Sequence, residues 1–241
     1  TSADYVSAFG YQASYSNTTG QYNTSIGSQA LYSNTTASYN TAVGYQAHYS
    51  ATSQQQMTTV GYQAGYNLNG QHSVAVGWQA GYGGSVVASN AAYDSVFVGG
   101  QAGYNTTAEG QVFIGYNAGY TNSSGGNNVA VGRQALYSNT TGSRNIAIGY
   151  QAGYSNTSGA INAIGDGALY SNTTGAGNVA LGGGNNTALY PSLFYNTTGN
   201  YNTAVGMGSL GQNTTASNNT AVGYQAGYSN TTGDSLTAVG Y

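Results

Sequence analysis

The sequence predicts an all-β fold: a β-solenoid (β-roll) of about 14 coils with a 17-residue repeat and two short strands per coil. Three observations predict it. Glycine recurs at near-constant spacing, a short apolar run precedes each such glycine, and short polar residues close each interval.

The repeat glycines are Gly10, Gly27, Gly44, Gly61, Gly77, Gly99, Gly115, Gly132, Gly149, Gly165, Gly182, Gly206, Gly223 and Gly240. Their separations are 16 or 17 residues, except 22 between Gly77 and Gly99 and 24 between Gly182 and Gly206. The longer intervals place insertions near 83–93 and 185–195, and the second holds the only proline, Pro191, which a loop accepts and a central strand does not. One register covers the chain, so residues 1–241 are expected to form a single continuous repeat domain.

The residue before each glycine is always apolar, as in Val43, Val131 and Ile148, and the residue two earlier is mostly β-branched, as in Thr41, Val129 and Ile146. Stiff branched side chains at a spacing of two mark a strand. The invariant apolar column reads as core, so Val131→Asp is expected to collapse several coils. Between the two lies a small residue, usually Ala. After the glycine the columns read Tyr, Gln, Ala and, two positions later, Tyr, as in Tyr45, Gln46, Ala47 and Tyr49. The run Ser138–Gly142 typifies the close of the coil, where short polar residues and a glycine suit a tight turn.

A 17-residue unit cannot bury its own apolar stripe, so neighbours must stack in register at about 4.7–4.9 Å. Stacking accounts for the composition. Val and Ile ladders are expected inside, Tyr ladders to stack, and Gln ladders to pair amide to amide. Charges in a ladder would repel at every rung, and charged residues are only 3% of the chain. Helix is excluded, because no apolar set recurs at helical spacing and 39 glycines would each cost about 1 kcal/mol in a helix interior.

Composition also excludes partners. With Arg133 and Arg144 as the only Lys or Arg residues and a net charge of −3, the chain cannot neutralise a row of phosphates, so no nucleic acid is expected. No apolar run approaches the ~20 residues that insert into a membrane. A start at Thr1 suggests a mature product or a fragment. The ends fit the repeat without distinct caps, which suggests end-to-end assembly with itself.

No catalytic, cofactor-binding or metal-binding residues are expected, and the chain reads as no enzyme. The ionisable residues Asp4, Asp94, Glu109, Asp166, Asp234, His48, His72, Arg133 and Arg144 sit in different coils, and general acid–base chemistry needs two groups within one substrate's reach. His48 and His72 read as surface substitutions in tolerant columns. No acidic residue recurs at a fixed position, as calcium-binding coils would require. One repeated feature has a chemical reading: Asn17, Asn34, Asn122, Asn139, Asn156, Asn172, Asn213 and Asn230, seven residues after a repeat glycine, begin Asn-x-Ser/Thr acceptor sequences, with Asn105 and Asn196 in equivalent turns. Read as sites, they are candidate N-glycosylation positions along one edge. Read as turn chemistry, the favoured reading because the short acceptor motif often occurs unmodified, they need no sugar.

Asn-Thr-Ala-Val-Gly-Tyr-Gln-Ala, at 40–47 and 219–226, resembles the repeats of trimeric autotransporter adhesin heads, which form a β-roll. The run 223–233 is similar to repeat regions of phage tail-fibre-like and bacterial surface proteins that carry an endosialidase-type chaperone domain. The resemblance covers nearly the whole chain. It implies an extracellular, elongated, non-catalytic protein at a cell or virion surface, assembling as a trimer or filament, with glycans as a further partner class. The function expected is therefore a fibre or filament subunit. The alternatives are a carbohydrate-binding adhesin segment and an ice-binding solenoid. The second ranks lower because Val and Ile interrupt the Thr column, as a core-facing column would allow.

Overall fold

A computed structural model describes residues 5–50, 52–83, 93–184 and 190–241. The fold is all-β and solenoidal, with a repeat of about 17 residues. It comprises two compact units, 1–117 and 118–241. In the first, β1 (Ser7–Phe9), β2 (Thr24–Ile26), β3 (Thr41–Val43), β4 (Thr58–Val60), β5 (Val74–Val76), β6 (Val96–Val98) and β7 (Val112–Ile114) pair in sequence order. In the second, β8 (Val129–Val131), β9 (Ile146–Ile148), β10 (Ile161–Ile164), β11 (Asn178–Leu181), β12 (Thr203–Val205), β13 (Thr220–Val222) and β14 (Thr237–Val239) do the same. All pairs are parallel, and each repeat position meets itself, as Val129↔Ile146 and Val131↔Ile148. The expected insertions fall largely on 84–92 and 185–189, outside the described residues.

Among the described residues each coil carries one strand, not the expected two. The segment after the glycine still bonds coil to coil, with Leu31 N–H donating to Ala47 at 3.0 Å and His48 N–H to Ala64 at 2.9 Å. It is not extended, because left-handed residues punctuate it: Gln29 at φ 58°, Leu31 at 52°, Gln46 at 51° and His48 at 51°. Such conformations cost non-glycine residues on the order of 1 kcal/mol each, and the inter-coil hydrogen bonds hold them.

The strands face the opposite way from the sequence expectation. The central residue of the strand is inside, and Ala42, Ala75, Ala130 and Ala147 are fully buried. The flanking Thr, Val and Ile residues point outward, so Ile26, Ile148 and Leu181 are among the exposed apolar side chains. Period two says which residues share a face, and a strand has two faces to offer. The interior takes the small set because strand and turn segment lie back to back: Ala42 packs in one cluster with Ala30, Leu31 and Ala47. Where the core admits a ring, it removes volume opposite. A Cβ at Gly81 would lie 2.7 Å from Phe97, and one at Gly103 would also strike that ring.

The repeat glycine is required by close approach. Gly61 sits at φ 135°, and a Cβ there would lie 2.5 Å from the Gly77 carbonyl oxygen of the next coil.

Candidate functional site

Side chains that sequence reasoning would assign to chemistry are mostly spent on their counterparts in the next coil. Gln46 donates to Gln29 at 2.8 Å, Gln63 to Gln46 at 2.9 Å and Gln79 to Gln63 at 2.9 Å, the amide ladder expected from the column. Tyr32, Tyr49, Tyr66, Tyr82 and Tyr104 stack with ring centroids 4.9–5.1 Å apart. Tyr137, Tyr154 and Tyr170 repeat the arrangement at 5.0–5.1 Å. Burial, and then the neighbouring hydroxyls, raise the Tyr66 and Tyr154 phenols above the usual range. The tyrosines directly after the glycine are more open, with Tyr45, Tyr62, Tyr116 and Tyr150 exposed, in line with the expected split between the two columns.

The acceptor asparagines form a ladder too. Asn34, Asn122, Asn139, Asn156, Asn172, Asn196 and Asn213 are fully buried. The Asn139 amide donates to Asn122 Oδ1 at 2.7 Å and to the Gly142 carbonyl at 2.9 Å, and its own Oδ1 accepts from Asn156 at 3.2 Å. Asn172, Asn196 and Asn213 continue the chain at 2.8 Å per step. A sugar on Nδ2 would replace one of the two N–H donors that make these bonds, and the side chains are fully enclosed, so the glycan reading does not fit these seven in the folded chain. Asn17 and Asn230 are half-buried, and their amides close the same turn onto Gly20 and Gly233. Asn105 is half-buried as well, and Thr106 occupies the buried position in that coil.

A second internal ladder escaped the sequence reading. Asn40, Asn128, Asn145, Asn202 and Asn219, four residues before the repeat glycine, are buried. Each side-chain oxygen accepts the backbone N–H entering the next strand: Asn128 from Asn145 at 2.8 Å, Asn145 from Ile161 at 2.8 Å, Asn202 from Asn219 at 3.0 Å. The signal was the asparagine opening Asn-Thr-Ala-Val-Gly.

Two ionisable expectations are corrected. His72 and Asp94 come from neighbouring coils but share a column, and His72 Nδ1 lies 3.1 Å from Asp94 Oδ1. The contact is open to solvent and of small energetic consequence. His48, expected on the surface, is fully buried, and neither ring nitrogen has a hydrogen-bond partner. It stands in the column that Leu31 and Leu136 fill, and its backbone has their left-handed conformation. Burial pushes its imidazole down to about 4, with the Leu68 backbone pulling weakly the other way without completing a well-formed hydrogen bond.

The sign of the pH effect follows. Between the ordinary value of 6.5 and about 4 the unfolded chain binds the proton and the folded chain does not. Stability is therefore full above pH 6.5, falls as pH drops, and is about 3 kcal/mol lower at pH 4. His48→Leu is expected to raise the melting temperature at pH 5 and flatten this slope, read by circular dichroism from pH 7 to 4.

Among the described residues no three His, Asp or Glu side chains cluster as a metal site, and no helix is long and apolar enough to cross a membrane. Among the described residues, the open surfaces include the sheet face of each unit, with its outward Thr, Val and Ile columns and the Tyr column beside them. Against protein-family models, curated proteins and solved structures, the chain has no match.

Proposed function

We propose that this chain is a structural, non-enzymatic segment of an extracellular fibre at a cell or virion surface. One observation carries the reading: nearly every polar or aromatic column pairs with itself in the next coil. Such a molecule invests its side chains in repeating along one axis. Phe9 and Val239, on the outermost strands, are 78% and 77% exposed. A neighbouring subunit stacked through the same ladders would bring them toward the 44% and 39% of Ile26 and Val222, one coil inward.

The carbohydrate reading is weaker, because stacked tyrosines occupy one another's ring faces and present edges outward; Tyr45 and Tyr62, in the exposed column, stack at 5.4 Å. The ice reading gains one point: the Thr column faces solvent, which removes the reason first given for ranking it low. It still lacks a continuous hydroxyl row, since Val74, Val96, Val112, Val129 and Ile146 hold that column from β5 to β9.

The test is negative-stain electron microscopy with light scattering across a dilution series. Particles whose length grows with concentration are expected. A particle of one length at every concentration would overturn end-to-end assembly.

A further inference from the structure

The outward sheet face is apolar, regular and nearly uncharged. In the second unit β9 presents Ile146 and Ile148 exposed, with Tyr150 beside them at 42% exposure. The column that holds Tyr150 contains two charges on the neighbouring coils: Arg133 follows β8 and Asp166 follows β10, both exposed. Arg133 lies against the Tyr150 ring, 6.0 Å from its centroid. Strands β8, β9 and β10 pair consecutively, so the two charges of opposite sign flank Tyr150 one rung to either side.

That arrangement is self-complementary. A two-fold axis running along strand β9, in the plane of the face, keeps each column opposite itself and reverses the order of coils. It sets Ile146, Ile148 and Tyr150 against the same residues of a second copy. It also sets Arg133 against the partner's Asp166, and Asp166 against the partner's Arg133. The other two-fold pairing of such faces, with the axis along the stack of coils, would put these charges opposite aliphatic columns.

We propose that this face pairs with a second copy of the chain in that antiparallel register, forming a dry sheet-on-sheet contact keyed by the two Arg–Asp pairs. Two properties favour a second copy. The charges match only under the two-fold. Identical ladders at about 4.8 Å spacing interdigitate as facing in-register sheets do. The pairing joins sheet faces and not the edges of the outermost strands, so it stands or falls separately from end-to-end assembly.

Sedimentation velocity tests it in the full chain. Wild type is expected to sediment as a two-chain species or as double-width particles. Arg133→Asp and Asp166→Arg each place like charges opposite one another and are expected to weaken pairing at least tenfold. The double variant, R133D with D166R, exchanges the charges and should restore it. Both sites are exposed, so melting curves of the monomers should match wild type. Single-width, unpaired wild type at every soluble concentration would overturn the proposal. So would single variants that pair as wild type does, or a double variant that pairs no better than the singles.

Discussion

Ala130→Asp is expected to unfold the coils around β8, whereas Val131→Asp, one residue along, should cost only about 1 kcal/mol in the single chain. Ala130 is fully buried at the centre of its strand, and its Cβ faces an interior lined by alanines and leucines. A carboxylate there has neither water nor a partner, and burying it costs several kcal/mol. The damage spreads because each coil rests on its neighbours. Val131 belongs to the outward column, so its carboxylate would remain solvated and the change is a surface one. Thermal melting followed by circular dichroism separates the two. Equal losses would mean that the interior does not distinguish the strand's two faces. The larger loss at Val131 would restore the expectation read from sequence, that the column before the glycine is core.

Asn139→Asp is expected to be nearly as damaging at neutral pH, and less so in acid. The replacement turns the amide donor that serves Asn122 Oδ1 and the Gly142 carbonyl into a buried carboxylate facing two acceptors. Leaving buried groups unpaired costs about 1–3 kcal/mol each, and more when one is charged. A protonated carboxyl recovers one donor, so part of the loss should return as pH falls below the carboxylate range. Asn139→Leu gives the comparison without charge: the Gly142 carbonyl keeps the Asn128 amide at 2.9 Å, while Asn122 Oδ1 and the Asn156 amide lose their Asn139 partner at all pH values. Chemical denaturation of the three proteins at pH 7 and pH 4 checks the order; a variant as stable as wild type would mean the ladder contributes nothing.

The repeat, the strand before each repeat glycine and the amide and aromatic ladders were legible in the sequence; the second strand expected after the glycine was not found among the described residues. Each depends only on spacing along the chain and on like columns meeting when coils stack. The strand column at Val129 and Val131 was located correctly, and Gln29, Gln46 and Gln63 pair as their column implied. The inward Asn column was visible too, but its use was not, since an asparagine before a strand reads equally well as a turn residue.

Sequence alone thus determined that the chain is a parallel solenoid with one repeat register, because periodicity constrains which residues share a level and a face. Tertiary structure decided which face is inside. Alternation in a strand is symmetric between its two sides, and the choice rests on how closely the turn segment approaches the sheet. That separation admits Ala130 and Ala147 and sends the larger Val and Ile side chains outward. It likewise decided that His48 is buried and that seven acceptor asparagines are enclosed, since both follow from the width of the interior and neither is written in the spacing of residues along the chain.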